Sequence, residues 1–149
     1  MGTMIMIKCK NCHYMKPFQL GIGFAYSPNR LLDFDSKDSL LNYLIRSKKT
    51  LEHVKNLILE HDGDFIDYDL KLHHCPKCSG FYARFYYQIQ FTDGLFEPDY
   101  KCTKCKHKLD VVPEQKDHER EEGVLDLSDY PCPECGEKSV SYYNSGNWD

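Results

Sequence analysis

The chain has 149 residues, 41% hydrophobic and 28% charged, with 19 Lys and Arg against 23 Asp and Glu and hence a formal net charge of −4. This balance describes a folded chain of one ordinary or two very small domains, not a disordered tail. It excludes a general nucleic-acid binder while leaving room for a local basic face, and no stretch approaches the roughly 18 apolar residues of a membrane span.

The first element is the apolar run Met4-Ile5-Met6-Ile7, too short for the core of a signal peptide and followed at once by Lys8-Cys9. Gly2 does not mark a myristoylation site, because Met6 stands where Ser or Thr is required. The expected location is cytoplasmic. In a reducing compartment eight cysteines call for an explanation other than disulfides. Their spacing supplies one: Cys9/Cys12, Cys75/Cys78, Cys102/Cys105 and Cys132/Cys135 are four identical Cys-x-x-Cys pairs. Two intervening residues let both sulfurs of a pair face one ion, and a tetrahedral site takes two pairs. Four pairs therefore make two sites with no cysteine left over. A redox Cys-x-x-Cys would normally occur once, beside a thioredoxin-like βαβ pattern. The expected cofactor is Zn2+, two ions; iron is the lesser alternative, since sulfur ligands alone do not select the metal.

After the first pair come Leu20-Gly21-Ile22-Gly23 and then a helical portion over residues 36–62. Ser36 or Asp35 caps a first helix carrying Leu40, Leu41, Leu44 and Ile45 on one side. A second begins near Thr50 with Leu51, Val54, Leu57 and Ile58, and Gly63 stops it. The apolar stripe of this helical hairpin either packs on a sheet or docks a partner. Residues 70–74 can form a strand leading into Cys75.

Beyond Cys75-Pro76-Lys77-Cys78 the run Phe81 to Phe91 alternates apolar and polar residues as a strand does. Thr92-Asp93-Gly94 supplies a turn with the Asp-Gly hairpin signal, and residues 95–100 lead back to Cys102. Residues 110–131 are an acidic loop, with almost no apolar content from Pro113 to Gly123. The last pair, Cys132-Pro133-Glu134-Cys135-Gly136, again carries turn residues.

Knuckle, strand, turn, strand, knuckle over residues 75–108 resembles the zinc-ribbon superfamily, a layout shared by proteins of many functions. The whole chain also resembles small uncharacterised bacterial proteins that have four Cys-x-x-Cys pairs, a Leu-Gly-x-Gly stretch and a Trp-Asp end, here Trp148-Asp149. The expected fold class is α+β: zinc-ribbon (rubredoxin-like) β-hairpins with a helical-hairpin insertion, residues 1–149 forming a single compact unit. The metal pairing stays open. A nested arrangement joins Cys75/Cys78 with Cys102/Cys105 and the two outer pairs with each other; a sequential one joins the first two and the last two. His13, His73, His74 and His107 are read as neighbours of the sites and not as ligands.

For function, two closed four-cysteine sites point to a non-catalytic interaction module meeting an unknown macromolecule. The alternative is a single-stranded nucleic-acid-binding ribbon. Residues 71–108 hold seven Lys and Arg against three acids, and Tyr82, Arg84 and Tyr86 fall on the even face of the strand. Rings for base stacking beside cations for phosphate are how single strands are held. An enzyme is not expected, because catalytic zinc keeps an open position, usually with His or carboxylate ligands. An iron-thiolate electron carrier is the remaining reading.

Overall fold

Alternating side-chain burial builds the dominant element pair of the fold. In the computed structural model, which describes residues 2–23, 26–37, 39–115 and 123–149, strands β3 (Asp64–His74) and β4 (Phe81–Phe91) pair antiparallel, from His74↔Phe81 to Asp64↔Gln90. Phe81, Phe85, Tyr87 and Ile89 of β4 are buried on one face, and Tyr82, Arg84, Tyr86 and Gln88 lie half-buried on the other. The strand has the bounds that its alternation predicts. Its main partner differs from the expected one: residues 95–100 contribute only β5 (Gly94–Phe96), which pairs with the last three residues of β4, whereas β3 pairs along its length. A β6 strand (Asp110–Val111) joins the far side of β3, giving the order β5-β4-β3-β6.

A second sheet has the order β2-β1-β9, from β1 (Gly2–Cys9), β2 (Met15–Leu20) and β9 (Val140–Trp148), all antiparallel. A two-stranded piece, β7 (Glu114–Gln115) with β8 (Val124–Leu125), completes the strands. The segment expected as an acidic loop is thus partly ordered structure. Val112, Leu125 and Leu127 are buried with Ile5, Ile7, Phe18 and Leu72 in one apolar core; residues 116–122 of that loop lie outside the described residues.

The helical insertion holds α1 (Pro28–Leu31), which the sequence pattern does not announce, then α2 (Leu40–Leu44) and α3 (Lys48–Glu60). The first predicted helix is shorter than expected and starts at Leu40. The second starts two residues before Thr50, because the Ser47 hydroxyl accepts from the Thr50 N–H as an N-cap. Gly63 stops it as expected: its N–H reaches the Leu57 carbonyl at 2.9 Å, and a Cβ there would lie 2.6 Å from that oxygen. Leu41, Ile45, Val54 and Leu57 bury against Phe85, Tyr87 and Ile89, a second core on the half of the β3–β4 hairpin away from its turn. The apolar stripe therefore packs on the sheet. None of the described helices is long and apolar enough to cross a membrane.

The Leu-Gly-x-Gly and Trp-Asp stretches meet in space. The Trp148 indole N–H donates to the Leu20 carbonyl at 3.0 Å, and the ring lies against Gly2 and Gly23. A Cβ at Gly23 would stand 2.5 Å from Trp148 Cζ3, so the glycine is required by close approach. Gly23→Ala is expected to cost on the order of 1–3 kcal/mol in urea unfolding, the usual range for overpacking. In a Trp148→Leu background the added cost should shrink, because the ring that clashes is gone; equal costs in both backgrounds would show that the indole is not the obstacle.

Candidate metal centres

Each Cys-x-x-Cys pair sits in a short turn with a repeated backbone pattern. The N–H of the first cysteine donates to the carbonyl five residues on: Cys9 to Tyr14, Cys75 to Gly80, Cys102 to His107 and Cys132 to Glu137, at 2.8–3.0 Å. In the last three, the residue four after the first cysteine returns an N–H to that cysteine's carbonyl, from Ser79, Lys106 and Gly136. Those three residues have positive φ, 66°, 62° and 76°. Gly136 takes this conformation freely, and Ser79 and Lys106 hold it at a steric cost. The turn between β1 and β2 carries the first pair and the turn between β3 and β4 the second; the third lies between residues bridged at Lys101 and Lys108.

The structure brings the pairs together in the nested arrangement. Cys9, Cys12, Cys132 and Cys135 form one group and Cys75, Cys78, Cys102 and Cys105 the other, with all sulfurs of a group within 4.8 Å of one another. Between the pairs, sulfur–sulfur separations are 3.6 Å for Cys9–Cys135 and Cys12–Cys132, 3.4 Å for Cys75–Cys105 and 3.3 Å for Cys78–Cys102. These exceed the disulfide length of about 2.05 Å. They approach the roughly 3.8 Å edge of a tetrahedron whose arms are zinc–sulfur bonds of about 2.3 Å. Each group could hold a metal ion. The first cysteine of every pair is buried and the second half-buried, so each group opens to solvent on one side.

Donors to sulfur offset the charge that four converging thiolates would carry. In the first group the backbone N–H groups of Asn11, Tyr14 and Glu134 reach Cys9, Cys12 and Cys132 at 3.4 Å, and the Asn11 side-chain amide reaches Cys135 at 3.6 Å. In the second, the Tyr82 hydroxyl lies 3.3 Å from Cys102 Sγ and 3.1 Å from Thr103 Oγ1. The Cys105 N–H and this hydroxyl hold the Cys102 thiol down at about 5; the Glu137 N–H and the Asn11 amide hold Cys135 at about 7. Tyr82 and Asn11 as partners of sulfur escape a reading of spacing alone. The only signal is that both stand within four residues of a knuckle cysteine.

Among the described residues no histidine joins either group. His73 and His74, just before Cys75, are buried in the sheet: His73 Nδ1 meets the Lys71 carbonyl at 2.9 Å, and the His74 ring packs on Phe81 and Tyr130. Burial lowers the pKa of both. His13 and His107 are exposed.

Tyr82, Arg84 and Tyr86 share a face of β4 as expected, but their groups are already engaged. The Arg84 guanidinium stacks 4.9 Å from the Tyr82 ring centre and donates to the Ala83 carbonyl. Lys71 sits 4.3 Å over the Tyr86 ring, whose hydroxyl donates to Glu97. Asp67 and Asp69 stand opposite Gln88 and Tyr86 on β3, so the cations of this face are interleaved with carboxylates.

Compared with models of protein families, with curated proteins and with solved structures, the chain has no significant match.

The sign of the pH effect follows from the two depressed thiols. A thiolate whose pKa is lowered persists to lower pH and is lost as the pH falls through that value, near 7 for Cys135 and near 5 for Cys102. In a chain loaded with Zn2+, acidification should release metal from both groups, because protons compete with the ion for the sulfurs. Tyr82→Phe should weaken the second site by about 10–100-fold in a chelator competition, the usual effect of removing a donor behind a ligand. A Tyr82→Phe variant with unchanged chelator resistance would show that the hydroxyl does not act on the sulfur.

Proposed function

We propose that each four-cysteine group holds one zinc ion as a closed structural site, and that the chain is a non-catalytic interaction module built on two zinc-ribbon-like units. The observation that carries this reading is the gathering of all eight sulfurs into two tetrads of tetrahedral dimensions. A structural ion there fixes two turns to each other: the β1–β2 turn to the turn before β9, and the β3–β4 turn to the 101–108 turn. Four sulfurs fill a tetrahedral shell, leaving no position for water or substrate. That supports a scaffold over an enzyme. The partner in this reading is a protein. Eight cysteines free of disulfides fit a reducing, cytoplasmic setting. Iron suits four thiolates as well, and its charge-transfer colour distinguishes it from colourless zinc.

Single-stranded nucleic acid on Tyr82, Arg84 and Tyr86 is the weaker second reading. Base stacking needs a free ring face beside free cations. Here each ring has a cation on one face, and the Tyr82 hydroxyl lies on Cys102 sulfur. A strand would have to break these contacts before forming its own.

Elemental analysis of the purified chain should give two zinc ions per molecule and no visible absorption. Cys75→Ser and Cys9→Ser should each lower the count to one, with a lower melting temperature. Two ions retained in either variant would sink the assignment of ligands, and a coloured protein would replace zinc with iron. In fluorescence anisotropy at low salt, labelled single-stranded DNA and RNA should show no saturable binding. Binding that weakens with salt and is lost in Arg84→Ala would reinstate the nucleic-acid reading.

A further inference from the structure

The two apolar cores do not fuse. Between them, bounded by β2, the α2–α3 connection and the part of β4 beyond its pairing with β5, lies a cavity of about 850 Å³. Its volume falls in the range of small-molecule sites, which are mostly apolar with a few polar groups that fix orientation. The walls are rich in rings: Phe18, Tyr26, Tyr43, Phe85, Tyr87 and Tyr100. Arg46 and Arg84 also line it, against Asp99 as the one carboxylate. Among the described residues neither arginine makes an ion pair; the salt bridge present is Lys71–Asp67. A guanidinium is charged at any working pH and offers a fork that matches a carboxylate. Tyr87, with 0% of its surface exposed, lines the same space and has a hydroxyl with no hydrogen-bond partner.

We propose that this cavity binds a small organic anion, a flat apolar body carrying one anionic group. The rings receive the body, and Arg84 and Arg46 receive the charge. Arg84 is the more constrained of the two, since its contacts with the Tyr82 ring and the Ala83 carbonyl hold it at the margin of β4. Charge complementarity selects the class: two unpaired guanidinium groups against one carboxylate disfavour a cation and leave a neutral ligand without its strongest contact. The proposal is independent of what the cysteine groups hold.

The test is isothermal titration of the full, zinc-loaded chain with 1-naphthoate, beside the neutral 1-naphthylmethanol. Naphthoate should bind one per chain and about tenfold or more tighter than the alcohol, the gain of a charge-assisted hydrogen bond. Arg84→Gln should lose about tenfold of that affinity and Arg84→Lys less, with bound zinc unchanged. Tyr87→Phe should weaken binding while leaving the free protein as stable or more so, a combination that a purely structural role for the hydroxyl does not produce. Amide shift mapping on the wild-type chain reads the site without any variant, and should move Phe18, Ile45 and Tyr87 together. No saturation at millimolar naphthoate, equal affinity for the alcohol, or shifts confined to other residues would overturn the proposal. Zinc counted in the same samples keeps its failure separate from failure of the metal assignment.

Discussion

Four cysteine sulfurs within 4.8 Å of one another would need a cation if all were thiolates, and the fold makes this arrangement twice. Like charges at such distances repel by several kcal/mol at the effective dielectric of a protein margin. Backbone N–H groups, the Asn11 amide and the Tyr82 hydroxyl take up part of that repulsion. The two groups close very different lengths of chain. Cys78 and Cys102 are 24 residues apart, and Cys12 and Cys132 are 120 apart. Loop-closure entropy grows only logarithmically, so the long loop costs about 1.4 kcal/mol more than the short one. The β1–β9 pairing closes the same long loop as the first cysteine group, so the sheet and an ion held there would stabilise one another.

The β3–β4 hairpin is the spine that connects these demands. At its knuckle end it supplies Leu72 and Phe81 to the first core and Cys75 and Cys78 to the second cysteine group. Toward its open end, Phe85, Tyr87 and Ile89 face the helices in the second core. One pair of strands thus feeds two cores. Neither is large, as expected for a short chain whose surface is big relative to its volume. Where the cores part, the sheet margin is left open. Tyr100 and Arg84 cover the carbonyls of Phe85 and Ala83 there, satisfying backbone groups that would otherwise invite another strand.

What could be read from the sequence was local. The four knuckles, the bounds of β4, the Gly63 stop and the apolar stripe of α3 all rest on spacings of two to four residues, which turn and helix geometry fix directly. Pairing over long separations was less legible. Cys-x-x-Cys spacing is the same in all four turns, so nothing local distinguishes nested from sequential grouping; β1 against β9 and β3 against β4 decide it. The same blindness assigned β4 a partner in residues 95–100, although Pro98 can donate no ladder hydrogen bond and β5 ends at Phe96. Val111-Val112 and Leu125–Leu127 were hidden in an acidic composition, because two-residue strands leave no periodicity to detect. The Leu-Gly-x-Gly and Trp-Asp stretches were visible as motifs. Only their meeting in space gives the reason for them.

Charge ties the basic knuckles to the cysteines themselves. Eight thiolates and two divalent ions would add −8 + 4 = −4 to the chain's own −4, half of it concentrated at the second group. Around that group stand Lys77, Lys101, Lys104, Lys106 and Lys108, and among the described residues none pairs with a carboxylate. A patch of this kind reads in sequence as a phosphate-binding face. Placed around four cysteines, these exposed lysines would offset part of the charge of a tetrathiolate site. Tyr82 makes the same point at atomic distance. The ring that looked free to stack a base is anchored by its hydroxyl at Cys102 and capped by Arg84. Tyr82 is thus held between the cysteine group and Arg84, and Arg84 in turn lines the cavity between the cores together with Arg46.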